Sequence, residues 1–484
     1  MKQMNSTTAP GEDGIRLSVY AALKGVLAPF LAKLYTEMIQ TGEAPANFFD
    51  GIIRPIPKGE VSPDPKKYRP ITLLNVDYRI FTFVLKNRLT LPMSKLIPET
   101  QTAFLPGRHS AQNIWIQDAV PHLLTHENKW ALVGLCDFQK AYDTIDRGFL
   151  LQICRELRMP GFLMAWIQGI MKHTRNRVYA DNHISSYKQF HAGIRQGCPA
   201  SPILYLLIGY MLHLLIDATD IGITLQCPYR VAKCHNGGRA FDACKPTTVT
   251  LKLSQYADDS KVFLGSQEQV KTFRACMDMF HQATGQRLNR DKTHLLAIGR
   301  IPSTLPCAME GFQLVTEAKV LGITVHHGTA PPTVDWKSKL NSMATTAKVI
   351  KATRISCFGK FRLWNTFVIS RILYAAEFTR VPQEVLREIT KLTRELLPDN
   401  ARCWSTTRMS DPPQEGGLGC LNFAAHTQAR QAKWCLRLLR VGTSQLWSQL
   451  VWNAFLLHPH DAHITSTQCL RECALPPMTT IVEG

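Results

Sequence analysis

Two β-prone runs meet at an acidic turn in the middle of the chain. Leucines alternate with polar residues from 248 to 255, and a second run extends from 261 to 265. Alternation with a period of two predicts a half-buried strand, and the position of the turn predicts a tight β-hairpin. The turn has the sequence Tyr-Ala-Asp-Asp and ends in Asp258 and Asp259. Adjacent carboxylates repel each other, so folding alone gives little reason to place two acids at this bend.

Most of the remaining pattern predicts helices. An apolar stretch from Ile15 to Gln40 precedes a β-prone run at 51–59, whose two prolines indicate an edge strand. A later helix is predicted to be capped by Ser266 and to end at Gly285. The apolar residues on one face of that helix are Val270, Phe273, Met277 and Phe280. Beyond Asp335 the pattern becomes helical and basic.

Length and charge narrow the classes of protein that fit. At 484 residues with 45% hydrophobic content, the chain exceeds one ordinary domain and can bury a substantial core. The net charge of +19 favours a polyanionic partner, with nucleic acid first and an anionic membrane surface second.

The chain shows no sign of secretion or of a membrane span. The longest apolar run, Ile203 to Ile216, is too short to cross a bilayer, and the N-terminus lacks the apolar core of a signal peptide. Fourteen cysteines without a secretory leader indicate reduced thiols. We therefore expect an intracellular protein, in the nucleus or the cytoplasm, without a membrane partner.

A third acid completes a candidate metal site. The stretch from Trp130 to Asp137 predicts a short buried strand that ends in a carboxylate, which costs desolvation unless a cation meets it. Three carboxylates from two distant segments, Asp137 with Asp258 and Asp259, could hold two metal ions. One ion would activate an attacking hydroxyl, and the other would stabilise the leaving phosphate of an in-line displacement.

These segments resemble the reverse transcriptases of non-LTR (LINE-type) retrotransposons. Matching segments run in the family's order from about residue 9 to beyond residue 420. The most specific is 193–202, where the form Gln-Gly-Cys-Pro-x-Ser-Pro is typical of non-LTR elements. A Pro/Gly-rich stretch at 411–419 resembles a glycine motif downstream of the family's polymerase core.

The resemblance implies the α+β right-hand fold of polymerases. Residues 1–100 would form the fingers and 101–330 the palm, which has a small antiparallel sheet. Residues 331–410 would form a helical thumb, and 411–484 a C-terminal helical extension. The reverse transcriptase domain itself would span about 50–325.

For chemistry, the resemblance implies RNA-directed DNA synthesis. Deoxynucleotides (dNTPs) would be added to the 3′-hydroxyl of a DNA primer on an RNA template, so that an RNA–DNA hybrid forms. Asp137, Asp258 and Asp259 would hold two Mg²⁺ ions, for which Mn²⁺ could substitute. Lys292 matches the family's lysine that is assigned as proton donor to the leaving pyrophosphate.

The resemblance also assigns substrate-binding residues. In the fingers, Lys58 and Arg69 would grip the triphosphate, and the planar guanidinium suits a phosphate best. Tyr142 would pack under the sugar and exclude a ribose 2′-hydroxyl, at a position where LINE-type enzymes commonly carry Phe. The structural alternatives are solvated charges and, for Tyr142, a core aromatic. The full set of candidates is Lys58, Arg69, Phe138, Tyr142, Gln196 and Gly197.

A basic stripe and two Cys/His groupings are further candidates for binding. Four basic residues at helical spacing form one stripe that could track a nucleic-acid backbone, although such stripes are usually solvated helix faces. The stripe consists of Arg430, Lys433, Arg437 and Arg440. Two Cys/His groupings lack the tight Cys-x₂-Cys pair with a following His, so we expect loops rather than zinc sites. They are Cys227, Cys234, His235 and Cys244, and His458, His460, His463, Cys469 and Cys473.

Two alternative functions remain open. A group II intron maturase-like RNA-binding protein is disfavoured by the amino-acid sequence of the loop at 196–202 and by the glycine motif at 416–419. A catalytically inactive element remnant would only bind nucleic acid; the three aspartates argue against decay at the metal site but do not exclude a loss elsewhere. Because the chain begins almost at the first polymerase motif, we expect no endonuclease upstream, and no RNase H pattern follows.

Overall fold

The computed structural model describes residues 3–4, 8–233, 239–242, 247–397 and 404–457. The α-helices in these ranges are α1 (Leu17–Ala22), α2 (Lys24–Thr41), α3 (Val76–Leu96), α4 (Ser110–His126), α5 (Arg147–Glu156), α6 (Gly161–Lys172), α7 (Ser201–Asp217), α8 (Gln269–Thr284), α9 (Trp336–Ala352), α10 (Cys357–Trp364), α11 (Ser370–Ala376), α12 (Gln383–Arg394), α13 (Thr406–Ser410), α14 (Phe423–Val441) and α15 (Leu446–Leu457). A π-helical turn at Asn365–Ile369 joins α10 to α11.

The strands of the same ranges are β1 (Gly51–Pro57), β2 (Tyr68–Leu74), β3 (Trp130–Cys136), β4 (Arg175–Ala180), β5 (His183–Ile184), β6 (Lys188–Gln189), β7 (Ile223–Cys227), β8 (Arg230–Lys233), β9 (Arg239–Asp242), β10 (Thr247–Leu251), β11 (Leu253–Tyr256), β12 (Asp259–Leu264), β13 (His294–Gly299), β14 (Ala308–Met309), β15 (Phe312–Val315), β16 (Glu317–Val320) and β17 (Ile323–His326). Helices and mainly antiparallel sheets therefore share the chain, and the predicted α+β class is confirmed.

The central sheet has the order β11-β12-β3-β13-β15-β14. Its strands alternate between two hydrophobic clusters, because successive side chains point to opposite faces. On one face, Leu132 and Leu295 join a cluster that includes α3, α7 and α8. On the other face, Val133 and Leu296 join a cluster that includes α4 and α15. Both faces of the sheet are thus covered, and the ends of its strands remain available for a site.

A second sheet has the order β2-β1-β4-β5, with β6 also paired to β4. The predicted edge position of β1 is only half right. β1 pairs along its whole length with β2, but its first three residues, Gly51 to Ile53, also pair in parallel with β4. Pro55 and Pro57 lie beyond that pairing, where the absence of an N–H group breaks no ladder bond.

The local predictions for α1, α2 and α8 are confirmed only in part. The apolar stretch forms two helices that meet at Leu23 rather than one. Gly285 ends α8 in the left-handed conformation, as predicted, but Ser266 is not its cap. The N-cap residue is Glu268. The side chain of Gln269 instead accepts the N–H of Gly265, at 2.7 Å, so that the turn before α8 is closed from within the helix.

The last two described helices pack onto the central sheet's cluster. Leu450 and Trp452 of α15 are fully buried, and α15 lies against α4. The amide of Asn453 accepts the backbone N–H of Tyr229 at 2.9 Å and donates to its carbonyl at 3.2 Å. The segment predicted as a C-terminal extension therefore shares its core with α4. None of the described helices combines the length and apolar character that a membrane span requires.

Candidate active site

The predicted acidic hairpin is present. Tyr256 pairs with Asp259, so that Ala257 and Asp258 form a two-residue turn between β11 and β12. Ala257 adopts a left-handed φ of 56°, which favours glycine and persists only when neighbours hold it. The side chain of Gln101 does so: it accepts the N–H of Ala257 at 3.0 Å and donates to its carbonyl at 3.3 Å. The turn that carries the acids is thus fixed from a remote segment.

Strand pairing brings the third acid to the same place. Cys136 of β3 lies opposite Ser260 of β12, so Asp137 leaves the sheet beside Asp259. The N–H of Asp137 donates to Thr293 Oγ1 at 3.2 Å, and its carbonyl accepts the N–H of Asn289 at 2.8 Å. The main chain of Asp137 is therefore held on the side opposite the hairpin.

The three acids affect one another electrostatically. Loss of hydration raises the pKa of Asp258, and the charge of Asp137 raises it further, whereas Arg69 opposes the shift. Loss of hydration, then Asp258 and then Asp137 raise the pKa of Asp259 to about 6. Like charges disfavour ionisation of their neighbours unless a cation offsets them.

The donor set fits a divalent cation, although the side chains are not drawn together. Among the described residues, no three His, Cys, Asp or Glu side chains are gathered closely enough to hold a metal ion as they stand. Three carboxylates from two strand ends nevertheless offer the oxygen ligands that Mg²⁺ and Mn²⁺ prefer. The raised pKa values of Asp258 and Asp259 indicate that their negative charge is disfavoured in the metal-free site, and a bound cation would offset that charge.

This repulsion predicts how metal and pH affect stability. The folded pKa of Asp259, about 6, lies above its ordinary value of 3.8. Its protonated form therefore stabilises the metal-free fold at low pH, and that contribution is lost as the pH rises through about 6. Because Asp259 is solvent-accessible, screening reduces this to roughly 1 kcal/mol. We expect Mg²⁺ to raise the melting temperature more at pH 8 than at pH 5. Asp259→Asn should remove that difference, and an equal effect of metal at both pH values would contradict it.

The segment that contains Lys292 packs beside Asp137. Asn289 donates to the carbonyl of Asp137, and Leu288 forms a β-bridge with Phe138. Lys292 itself is exposed, one residue before the threonine that accepts the Asp137 N–H. The structure thus brings this predicted residue to the edge of the acidic site.

A basic cleft of about 830 Å³ adjoins the acids. Its walls come from β1, β2, the turn between β4 and β5, and the loop before α7. The charged residues that line it are Arg54, Lys58, Lys66, Arg69, Lys140, Asp143 and Asp181. Five basic side chains against two acids suit an anionic ligand such as a triphosphate. Arg69 also acts on Asp258, which links the cleft to the acids. Asp143 is half-buried in this wall.

The loop at 193–202 lies against β2. The carbonyl of Gln196 accepts the N–H of Thr72 at 2.7 Å, and its amide donates to Asp143 at 3.4 Å. Gly197 has a φ of 120°, and a Cβ there would lie 2.3 Å from the carbonyl oxygen of Thr72. Glycine is thus required for both conformation and space. Pro202 lies in the first turn of α7.

The two aromatic residues that were predicted to bind substrate, Tyr142 and Phe138, differ in how far their rings are accessible to it. The ring of Tyr142 stacks on Tyr205 with centroids 4.7 Å apart, and burial followed by the charge of Asp258 raises its pKa. Tyr142 therefore belongs to the core through one face and approaches the acids as well. Phe138 is 8% exposed and packs on Phe280, with centroids 5.7 Å apart. Its ring is a core residue, which leaves only its main chain for a substrate.

Sequence reasoning missed a buried lysine beneath the acids. Lys261 is 4% exposed, and its Nζ donates to the carbonyl of Asn113 at 3.1 Å. Burial lowers its pKa to about 7, and the charge of Asp259 opposes that shift. The available signal was the period of the strand, because Asp259 and Lys261 are two residues apart and point to the same face of β12.

The remaining candidates give no metal site within the described residues. Cys227 is buried at the end of β7, and burial raises the pKa of its thiol to about 12. Cys234, His235 and Cys244, together with every member of the second grouping, lie outside the residues that the structure describes.

Comparisons with known proteins agree with this geometry. The family model described as "Reverse transcriptase (RNA-dependent DNA polymerase)" matches residues 56–325. The transposon TX1 uncharacterized 149 kDa protein of Xenopus laevis is 24% identical over 435 residues, which cover 88% of this chain and 32% of that protein. The retrovirus-related Pol polyprotein from type-1 retrotransposable element R2 of Nasonia vitripennis is 22% identical over 434 residues, which cover 86% and 39%.

A solved structure of apo telomerase from Candida tropicalis is similar with a TM-score of 0.44 and 10% identity, over 97% of this chain and 74% of that chain. The chain spans only 32% and 39% of the lengths of the two curated relatives above.

Proposed function

Because this chain belongs to the reverse transcriptase (RNA-dependent DNA polymerase) family, we propose that it adds dNTPs to the 3′-hydroxyl of a DNA primer on an RNA template. Its resemblance to non-LTR retrotransposon enzymes is confirmed. We propose that its helices and mainly antiparallel sheets form the right-hand polymerase fold. The observation that carries the proposal is that strand pairing places three acids at one end of the central sheet, beside a basic cleft.

Enzymes of this family use divalent metal ions, and we propose Mg²⁺, with Mn²⁺ as a substitute, on Asp137, Asp258 and Asp259. Two bound ions would activate the primer hydroxyl and neutralise charge on the leaving pyrophosphate. The hairpin and β3 supply these ligands from a rigid sheet edge, which keeps the reacting groups in line. Lys292, at the rim of the site, is proposed to give its proton to the pyrophosphate as it leaves.

The basic cleft is proposed to hold the incoming nucleotide. Lys58 and Arg69 would bind its phosphates, with Gln196 and Gly197 against the nucleotide and the template base. Tyr142 would lie under the sugar, where its ring leaves no room for a ribose 2′-hydroxyl. The hybrid of RNA template and DNA primer would then lie across the sheet edge. We also propose an intracellular location for the protein.

Primer extension tests the proposal directly. The protein should extend oligo(dT) on poly(A) in Mg²⁺ or Mn²⁺, and excess EDTA should stop the reaction. Binding of the primer–template without extension in either metal would favour the alternative of an inactive remnant that only binds nucleic acid. If the protein neither binds nor extends the primer–template, the proposal is overturned.

Arg69→Ala is expected to raise the KM for dNTP with a smaller effect on kcat. A hydrogen bond from a charged group is worth about 1.5–3 kcal/mol, which corresponds to roughly 10- to 150-fold. Arg69→Lys should recover part of the loss, since an ammonium group lacks the forked geometry. Lys271→Ala, on the exposed surface of α8, is the control. Steady-state kinetics at saturating primer–template measure the effect, and a KM equal to that of the control would refute the assignment.

A further inference from the structure

A loop beside the catalytic hairpin displays one aromatic ring in an unfavourable backbone conformation. Phe104 has a φ of 60°, and its side chain is 41% exposed. A bulky residue is a genuine outlier in the left-handed region, and an exposed ring gains little from burial. The fold therefore holds this ring outward at a cost, as proteins do mainly at functional positions.

Neighbouring residues hold the loop firmly. The guanidinium of Arg108 donates to four main-chain carbonyls, which are those of Ser94, Ile97, Pro98 and Gln101. The side chain of Gln101, three residues before Phe104, is the one that holds the left-handed Ala257. The display of the ring and the position of the acidic turn thus depend on one connected set of bonds.

The basic stripe of α14 borders the same loop. Arg437 donates to the carbonyl of Gly107 and lies 5.1 Å from the centre of the Trp434 ring. His109, in the same loop, also contacts Trp434, with the centres of the two rings 5.6 Å apart. These contacts fix α14 against the loop that presents Phe104.

The charge on this surface is unequally compensated. Glu377 lies 3.5 Å from Arg430 at one end of the stripe and accepts a hydrogen bond from Trp434 at 3.3 Å. Glu99, near the start of the loop, accepts the N–H of Leu446 at 2.9 Å. Lys433 and Arg440 are exposed further along the same helix face. The surface therefore combines an exposed ring with the exposed charges of Lys433 and Arg440, whereas Glu377 is engaged by Arg430 and Trp434 and Glu99 by the main chain of Leu446.

We propose that Phe104 and the α14 stripe form a docking surface for single-stranded nucleic acid. One base would stack on Phe104, while Lys433 and Arg440 follow the phosphates. Proteins hold single strands without reading sequence by this combination of stacking platform and basic track. The proposal rests on the proposed function only in that the chain handles nucleic acid, and it requires neither metal nor dNTP.

Binding of labelled 12-mers in EDTA tests the stacking step. We expect Phe104→Ala to weaken binding roughly 5- to 150-fold, which is the range for losing one stacked base. Phe104→Tyr should bind like the wild type. Phe162→Ala removes a ring that is 46% exposed on α6 and should change nothing. Fluorescence anisotropy with RNA and with DNA 12-mers shows which strand the surface prefers, and wild-type affinity of Phe104→Ala for both would overturn the proposal.

Salt dependence separates stacking from charge. Each phosphate contact to a single strand contributes about 0.7 to the slope of log K against log salt. The double variant Lys433→Ala, Arg440→Ala should therefore lower the slope by about 1.4, whereas Phe104→Ala should leave it unchanged. An unchanged slope in the double variant would remove the basic track from the proposal.

A glycine variant distinguishes function from folding. Phe104→Gly removes the ring and relieves the left-handed strain, so we expect weaker binding together with a higher melting temperature. If the ring served only the fold, its removal would lower both the affinity for the 12-mers and the melting temperature. Because the binding is measured without catalysis, this result stands whether or not the wild type extends a primer.

Discussion

Asp258→Ala is expected to reduce primer extension by roughly 1,000-fold or more. The side chain lies in the two-residue turn between β11 and β12, within the electrostatic reach of Asp137 and Asp259. Losing one carboxylate of a metal site removes several kcal/mol of transition-state stabilisation, and each 1.36 kcal/mol is about tenfold in rate. Single-turnover extension on poly(A)/oligo(dT) measures the loss.

Stability provides the second readout for the same position. Asp258→Asn removes a charge that raises the pKa of Asp259, so the metal-free variant should melt at a higher temperature than the wild type at pH 8. Asp278→Asn changes an exposed carboxylate on α8 and should affect neither measurement. Activity that falls together with stability would indicate misfolding, and full activity of Asp258→Ala would remove the metal assignment.

Local features of this site were predictable, and long-range contacts were not. The hairpin follows from a period of two and a short turn, both of which are properties of adjacent residues. The approach of Asp137 to the hairpin depends on the pairing of β3 with β12, which no local pattern in the sequence specifies. Lys261 and Gln101 were missed because their partners, Asn113 and Ala257, lie 148 and 156 residues away.

The same distinction explains the errors in the predicted elements. The cap of α8 was assigned to Ser266 from residue preference, but the contact that closes the turn comes from Gln269. The edge position of β1 was inferred from its prolines, whereas the parallel pairing with β4 involves only the residues before them. Preference rules describe a residue's own backbone, while the observed structure depends on which neighbour reaches it.

Gly197→Ala is the second substitution with a large expected effect. Gly197 has a φ of 120°, and the added Cβ would lie 2.3 Å from the carbonyl oxygen of Thr72. The adjacent bond from Thr72 N–H to the Gln196 carbonyl, at 2.7 Å, keeps the loop from moving away. The backbone of β2 or the loop must therefore shift, at a cost of more than about 3 kcal/mol. Gln196 would move with it, so we expect dNTP binding to fall along with the melting temperature.

Substitutions at two other glycines serve as controls that separate backbone strain from the close contact with Thr72. Gly42 has a φ of 73° with open space around a Cβ, so Gly42→Ala costs only the backbone strain of about 1 kcal/mol. Gly25 lies within α2 with open space and no positive φ, so Gly25→Ala should stabilise the helix by a similar amount. If Gly197→Ala melted no lower than Gly42→Ala, the contact with Thr72 would be unimportant. A larger loss that is specific to Gly197 means that the close approach of β2 to this loop holds Gln196 in the cleft.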